Sequence, residues 1–135
     1  MTEVALDASV VIKWFRTQGE RHHGQAQALR AAFEAGELVV LAPRLIVLEI
    51  LNVAGRRWHW EEQALLELAA ALDDLGFELL DPTTSGVARW TARGLRAHEA
   101  AYVAVAHEHG VQLVTDDAGI VRVAGDVARP LARVS

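Results

Sequence analysis

At 135 residues, 52% of them apolar, the chain is long enough for one domain with its own core, and the absence of cysteine excludes disulfides and thiolate metal sites. A net charge of −5 speaks against broad electrostatic binding of nucleic acid, but not against a nuclease that meets its substrate through a bound cation. The opening "MTEVALDASV" has no basic segment ahead of a long apolar one, and no run of about 18 apolar residues occurs, so neither a signal peptide nor a membrane span is expected. Lack of cysteine fits a reducing compartment, and a cytoplasmic location is expected.

Short apolar strands alternate with helices along the chain. "EVALD" (3–7) reads as a buried strand, and "ASVVIKWF" (8–15) as helical despite its β-branched residues. "RTQGERHHG" (16–24) is polar and glycine-bounded, a loop. "QAQALRAAFEAG" (25–36) combines strong helix formers with a terminal glycine. "ELVVLA" (37–42) is a second strand, and Pro43 suits the first turn of a helix through "RLIVLEILNVAGRRW" (44–58). "EEQALLELAAALDDLG" (61–76) is an amphipathic helix with acids at its start, as the helix dipole prefers. "FELL" (77–80) is a third strand, and "TTSGVARWTARG" (83–94) a helix capped by Thr83 or Thr84. "HEAAYVAVAHEHG" (98–110) is a helix closed by Gly110, and "QLVT" (112–115) a fourth strand. "ARPL" (128–131) can only be an edge strand, because proline has no N–H to donate to a neighbour. This order predicts a single α/β domain over 1–135 around a mostly parallel sheet of four to five strands.

Ligands of parallel sheets bind beyond the carboxyl ends of the strands. Asp7 ends the first strand, and Asp116 and Asp117 end "LVTDD". Asp117 equally suits the cap of a short helix from Ala118. Glu49 stands inside "LIVLEILNV", the most apolar helix, and shares one face with Asn52 and Arg56 at i, i+3 and i+7. That stripe is either a solvent side or a polar face inside a helix mostly surrounded by protein. Glu99 opens its helix where the dipole favours a carboxylate, and shares a face with Tyr102. At about 4 Å, two carboxylates repel by roughly 4 kcal/mol at an effective dielectric of about 20. Gathered acids therefore need a cation or a proton. Oxygen donors without cysteine select a hard ion, Mg²⁺ or Mn²⁺, and such ions serve phosphodiester chemistry.

An acid after the first strand in "LDASVVIKWF", a glutamate in "LEILNVA", an acid in "HEAAYVAVA" and then "LVTDD" resemble, as an ordered set over residues 4 to about 120, the PIN-domain nucleases, and more narrowly the VapC toxins of bacterial toxin–antitoxin pairs. The resemblance implies an α/β/α sandwich, Mg²⁺- or Mn²⁺-dependent RNA cleavage, dimers and an inhibitory VapB-like antitoxin. It places Asp7, Glu49, Glu99 and Asp117 on the family's acidic quartet, as metal ligands and catalytic residues. Ser9 and Thr115 fall on hydroxyl positions beside it, Asn52 on a polar position of the glutamate helix, and Asp116 on the neighbour of the last acid. Where the family usually reads Tyr-Asp-Ala-Ala-Tyr, this chain reads His98-Glu99-Ala100-Ala101-Tyr102, with an acid one methylene longer.

Lys13, Arg16, Arg56 and Arg57, like "RHH" (21–23) and "HEHG" (107–110), read individually as solvated surface. Trp14 and Phe15 read as core, and Trp58 and Trp60 as an interaction surface. A haloacid-dehalogenase phosphatase needs a second Asp where Ser9 stands, and a receiver domain needs a late lysine, whereas Lys13 is the only one. The remaining alternative is a non-catalytic or stand-alone PIN-like module for RNA binding or processing.

Overall fold

A computed structural model describes residues 2–16, 19 and 21–134. Five strands, β1 (Thr2–Leu6), β2 (Leu38–Ala42), β3 (Glu78–Leu79), β4 (Leu113–Thr115) and β5 (Ala128–Pro130), form one sheet in the order β3-β2-β1-β4-β5. Every pairing is parallel. The α/β reading and the edge position of the proline strand both hold. The strands are short and apolar because the central ones are covered on both faces, which leaves no need for polar alternation.

The helices are α1 (Ala8–Val11), α2 (His23–Glu34), α3 (Leu45–Asn52), α4 (Glu62–Asp73), α5 (Thr84–Ala92), α6 (Ala97–Glu108) and α7 (Ala118–Val123). The chain winds from β1 outward to β2 and β3, then returns across the sheet to β4 and β5. Right-handed crossovers put α1 to α4 on one face and α5 to α7 on the other. The result is the expected three-layer sandwich. Its winding reverses between β1 and β4, the switch point where ligands of such sheets bind.

Two local departures matter. The expected single helix over 44–58 is α-helical only to Asn52, and Val53–Arg57 form a π-turn in which Trp58 N–H reaches the Val53 carbonyl. The loop expected over 16–24 lies partly outside the described residues, and α2 already begins at His23. Thr83 caps α5 as expected: its hydroxyl accepts from Gly86 N–H at 3.0 Å.

Trp14 is buried and joins the α1 side of the sheet to α2 and β3. Its ring stacks on Phe33, centroids 5.9 Å apart, and meets Phe77 edge-on at 5.6 Å. Its indole N–H donates to the Ala26 carbonyl at 2.9 Å. Trp14→Ala should therefore cost about 3–5 kcal/mol in urea denaturation, as for other buried aromatics. Phe15→Ala, at a half-buried position, should cost less. Equal losses at the two positions would show that the ring cluster is not the anchor of this layer.

Candidate active site

β1 and β4 are neighbours, with Leu6 opposite Val114, so the next step along the register sets Asp7 beside Thr115. The Asp7 carboxylate is buried, 4% exposed, and both its oxygens are held. Ser9 Oγ donates to Oδ1 at 2.6 Å, and Thr115 Oγ1 donates to Oδ2. The two hydroxyls are aimed from behind. Asp116 N–H donates to Ser9 Oγ at 2.9 Å, and Asp117 N–H to Thr115 Oγ1 at 3.0 Å. The turn after β4 thus fixes the acid that ends β1, from more than a hundred residues away.

The other acids arrive from both faces. Glu49 on α3 accepts from the Tyr102 hydroxyl of α6, and His98 Nε2 lies 4.0 Å from its second oxygen. Glu99 Oε1 accepts Arg96 N–H at 2.9 Å, half of a capping box whose other half has no acceptor, since arginine carries none. Asp117 Oδ1 caps α7, accepting from Gly119 and Ile120 N–H at 2.8 and 3.3 Å. Asp7, Glu49, Glu99 and Asp117 all line one cleft of about 110 Å³, with Ser9 and Tyr102. Among the described residues, no three carboxylate or imidazole groups already stand as a metal-coordinating set.

Asp116 turns away from the cleft. Its carboxylate pairs with Lys13 Nζ at 3.2 Å, and Arg21 and His22 lie 3.9 and 4.0 Å off. Lys13, read from the sequence as surface, is 3% exposed. Its signal was available: it is the one lysine of an arginine-rich chain, set inside "VVIKWF". His22 and His23 are likewise not free surface; His23 Nδ1 is buried without a partner. Asn52 lines a groove next to the cleft, and there the π-turn changes the expectation. One extra residue in the turn rotates the register, so Arg57 rather than Arg56 follows Glu49 and Asn52 along that face. The bond from Tyr102 to Glu49 was missed as well, because it joins two helices on opposite faces of the sheet.

The PIN domain family model matches residues 4–126. The chain belongs to the PIN domain family. Solved structures of similar fold include PAE2754 from Pyrobaculum aerophilum, with 22% identity, 97% of this chain and 90% of that one covered, and a TM-score of 0.68. The Mycobacterium tuberculosis VapC20 toxin, which cleaves the sarcin-ricin loop, aligns at 20% identity over 90% of this chain and 95% of its own, TM-score 0.68. FitAcB from Neisseria gonorrhoeae aligns at 15% over 96% and 99%, TM-score 0.69. No curated protein is a significant sequence match. No helix among the described residues is long and apolar enough to cross a membrane.

In this PIN domain the electrostatics centre on Asp7. Burial pushes its carboxyl up to about 6, the two hydroxyls and the Val10 N–H pull the other way, and Asp117 adds to the rise. Among the described residues no cationic side chain pairs with it. Burial and the carboxylate in the same cleft also hold the Tyr102 hydroxyl well above the ordinary phenol range, so it stays a donor to Glu49. All-oxygen donors around an uncompensated buried carboxylate fit a hard divalent cation.

With the folded-state value of Asp7 raised above the unfolded 3.8, the folded form binds the proton more tightly. Stability from this group is full below about pH 4 and lost as pH rises through about 6, by up to about 3 kcal/mol. Urea titrations in a chelating buffer should show that loss in the wild type and not in Asp7→Asn. Parallel curves for the two proteins between about pH 4 and 7 would remove Asp7 as the source.

Proposed function

We propose that this PIN domain is a metal-dependent endoribonuclease of the VapC toxin type, which hydrolyses RNA phosphodiester bonds and is silenced by a cognate VapB-like antitoxin. The observation that carries the reading is Asp7: a buried carboxylate with no cationic partner among the described residues, in a cleft lined by three more acids. Asp7, Glu49, Glu99 and Asp117 would hold Mg²⁺ or Mn²⁺, with Asp7 as the central ligand. When bound, such an ion acidifies a water and offsets charge at the scissile phosphate.

The chain's own residues do the positioning. Ser9 and Thr115 hold Asp7 in one rotamer, and Tyr102 holds Glu49, so two ligands from different elements are preset. Asp117 keeps Oδ2 for the cleft because Oδ1 is engaged in the α7 cap. Glu99 is tethered to Arg96 N–H, which favours a weaker ligand and keeps open the second reading, a module with a relaxed metal site. Likeness to the toxin VapC20 supports the toxin reading. Likeness to FitAB bound to the IR36 DNA fragment, at 17% identity and a TM-score of 0.56, supports contact with nucleic acid. In the toxin reading the antitoxin lays a C-terminal segment over the acidic edge and offers an arginine to the carboxylates, and the toxin acts as a homodimer in the cytoplasm.

Asp7→Asn should lower Mg²⁺- or Mn²⁺-dependent cleavage of single-stranded RNA by more than about 100-fold, beyond the loss expected for an outer-shell partner. Equal cleavage by the two proteins in matched metal would place the activity elsewhere. Glu99→Gln should weaken Mn²⁺ binding by calorimetry, whereas Glu99→Asp should keep it. If both bind as wild type does, Glu99 is a helix-terminal charge, worth about 0.3–1 kcal/mol of stability, and the relaxed-site reading gains.

A further inference from the structure

Two further spaces adjoin the acidic cleft. Towards α3 it continues, through Ala8, Ser9 and Glu49, into a groove of about 570 Å³ walled by Leu48, Asn52 and Arg57. Past β4 it meets, at Asp117, a hollow of about 270 Å³ walled by Arg21, His22 and Asp116. The three spaces are joined through these shared lining residues, with carboxylates at the junctions and a guanidinium in the wall of each outer one.

Resting on the nuclease reading above, we propose that these joined spaces are the path of a single RNA strand. Arg57 takes a backbone phosphate on one side of the scissile bond. Arg21 and His22 take one on the other side, and Leu48 with Asn52 receives a base.

The charge distribution is the first reason. A chain of net charge −5 with four carboxylates in its cleft repels a polyanion unless cations flank the centre. Arg57 is exposed and enters no ion pair among the described residues. Arg21 is 77% exposed and stands 3.9 Å from Asp116, which already has buried Lys13 at 3.2 Å. So loose and exposed a pair holds Arg21 weakly, and its planar fork suits a phosphate. His22 sits in the left-handed region at φ 55, a conformation that persists where its surroundings require it, and its ring is turned to the same Asp116.

The second reason is the chemistry of the α3 groove. Leu48 is 70% exposed, an apolar face on which a base can lie, and Asn52 next to it offers both a donor and an acceptor to a base edge. The π-turn is what brings Arg57 to this wall. The third reason is base access: in a duplex the bases are paired and stacked, and none is free to enter the groove of Leu48 and Asn52.

The test is fluorescence anisotropy of a labelled eight-nucleotide single-stranded RNA in Mg²⁺. It compares Asp7→Asn with the same protein also carrying Arg57→Ala, Arg21→Ala or, as a control off the path, Arg93→Ala. The Arg57 and Arg21 changes should each weaken binding about three- to tenfold and lower the slope of log K against log salt by about 0.7. Arg93→Ala should change neither, and a duplex of the same sequence should bind more weakly. Unchanged binding in both path variants, or an equal loss in Arg93→Ala, overturns the path. Wild-type cleavage is assayed alongside. If it cleaves while the path variants bind normally, the path fails and the nuclease reading stands. If it cleaves nothing while the path variants lose binding, the path stands and the nuclease reading fails.

Discussion

Asp7 is an ionisable group that burial works to neutralise, held at the one place in the sheet where winding reverses. Much of the surrounding structure answers to that position. The parallel register of β1 and β4 sets Thr115 beside it, and the turn after β4 sends two consecutive N–H groups into the hydroxyls that grip it. A buried carboxylate with both oxygens satisfied keeps a fixed direction, but its charge still carries a desolvation cost. Hydrogen bonding and an unmet electrostatic demand, for a proton or a cation, therefore coexist in the same side chain.

The paired aspartates after β4 divide their work by geometry. Asp117 faces the cleft and caps α7, so one residue serves both the turn and the site. Asp116 points the other way and anchors Lys13 beneath Arg21 and His22. The chain bends at Asp116 as β4 ends, so the two side chains leave the turn in different directions. Acidic and basic walls thus meet across a single peptide, and a chain acidic overall still presents local positive charge beside its most acidic cleft.

The glutamate helix works through its irregularity. Up to Asn52 it is an ordinary α-helix, with Glu49 turned to the hydroxyl of Tyr102. The π-turn beyond it gains one residue and re-aims the basic pair that follows. Insertions of this kind are costly in hydrogen-bond geometry and often sit at functional sites. Here the insertion lies against α4, where Gly55 faces the Leu65 side chain.

Alternating short apolar strands and helices were legible in the sequence, because burial on both faces writes itself as unbroken apolar runs. So were Asp7 and Asp117, as acids where strands must end, and Glu49, as a charge in the wrong surroundings. The cap duty of Asp117 was equally local and equally readable. Other features exist only once strands pair and helices dock. The grip of Thr115 on Asp7, and its meeting with Ser9, span more than a hundred residues and depend on β4 lying beside β1 rather than beyond β3. Lys13 is buried because Asp116 comes to meet it. Arg57 replaces Arg56 because a π-turn breaks the 3.6-residue period of a regular helix. Local propensity set the elements and the candidate acids, whereas only the packing of distant segments, whose contacts have no sequence period, decided which side chains face one another.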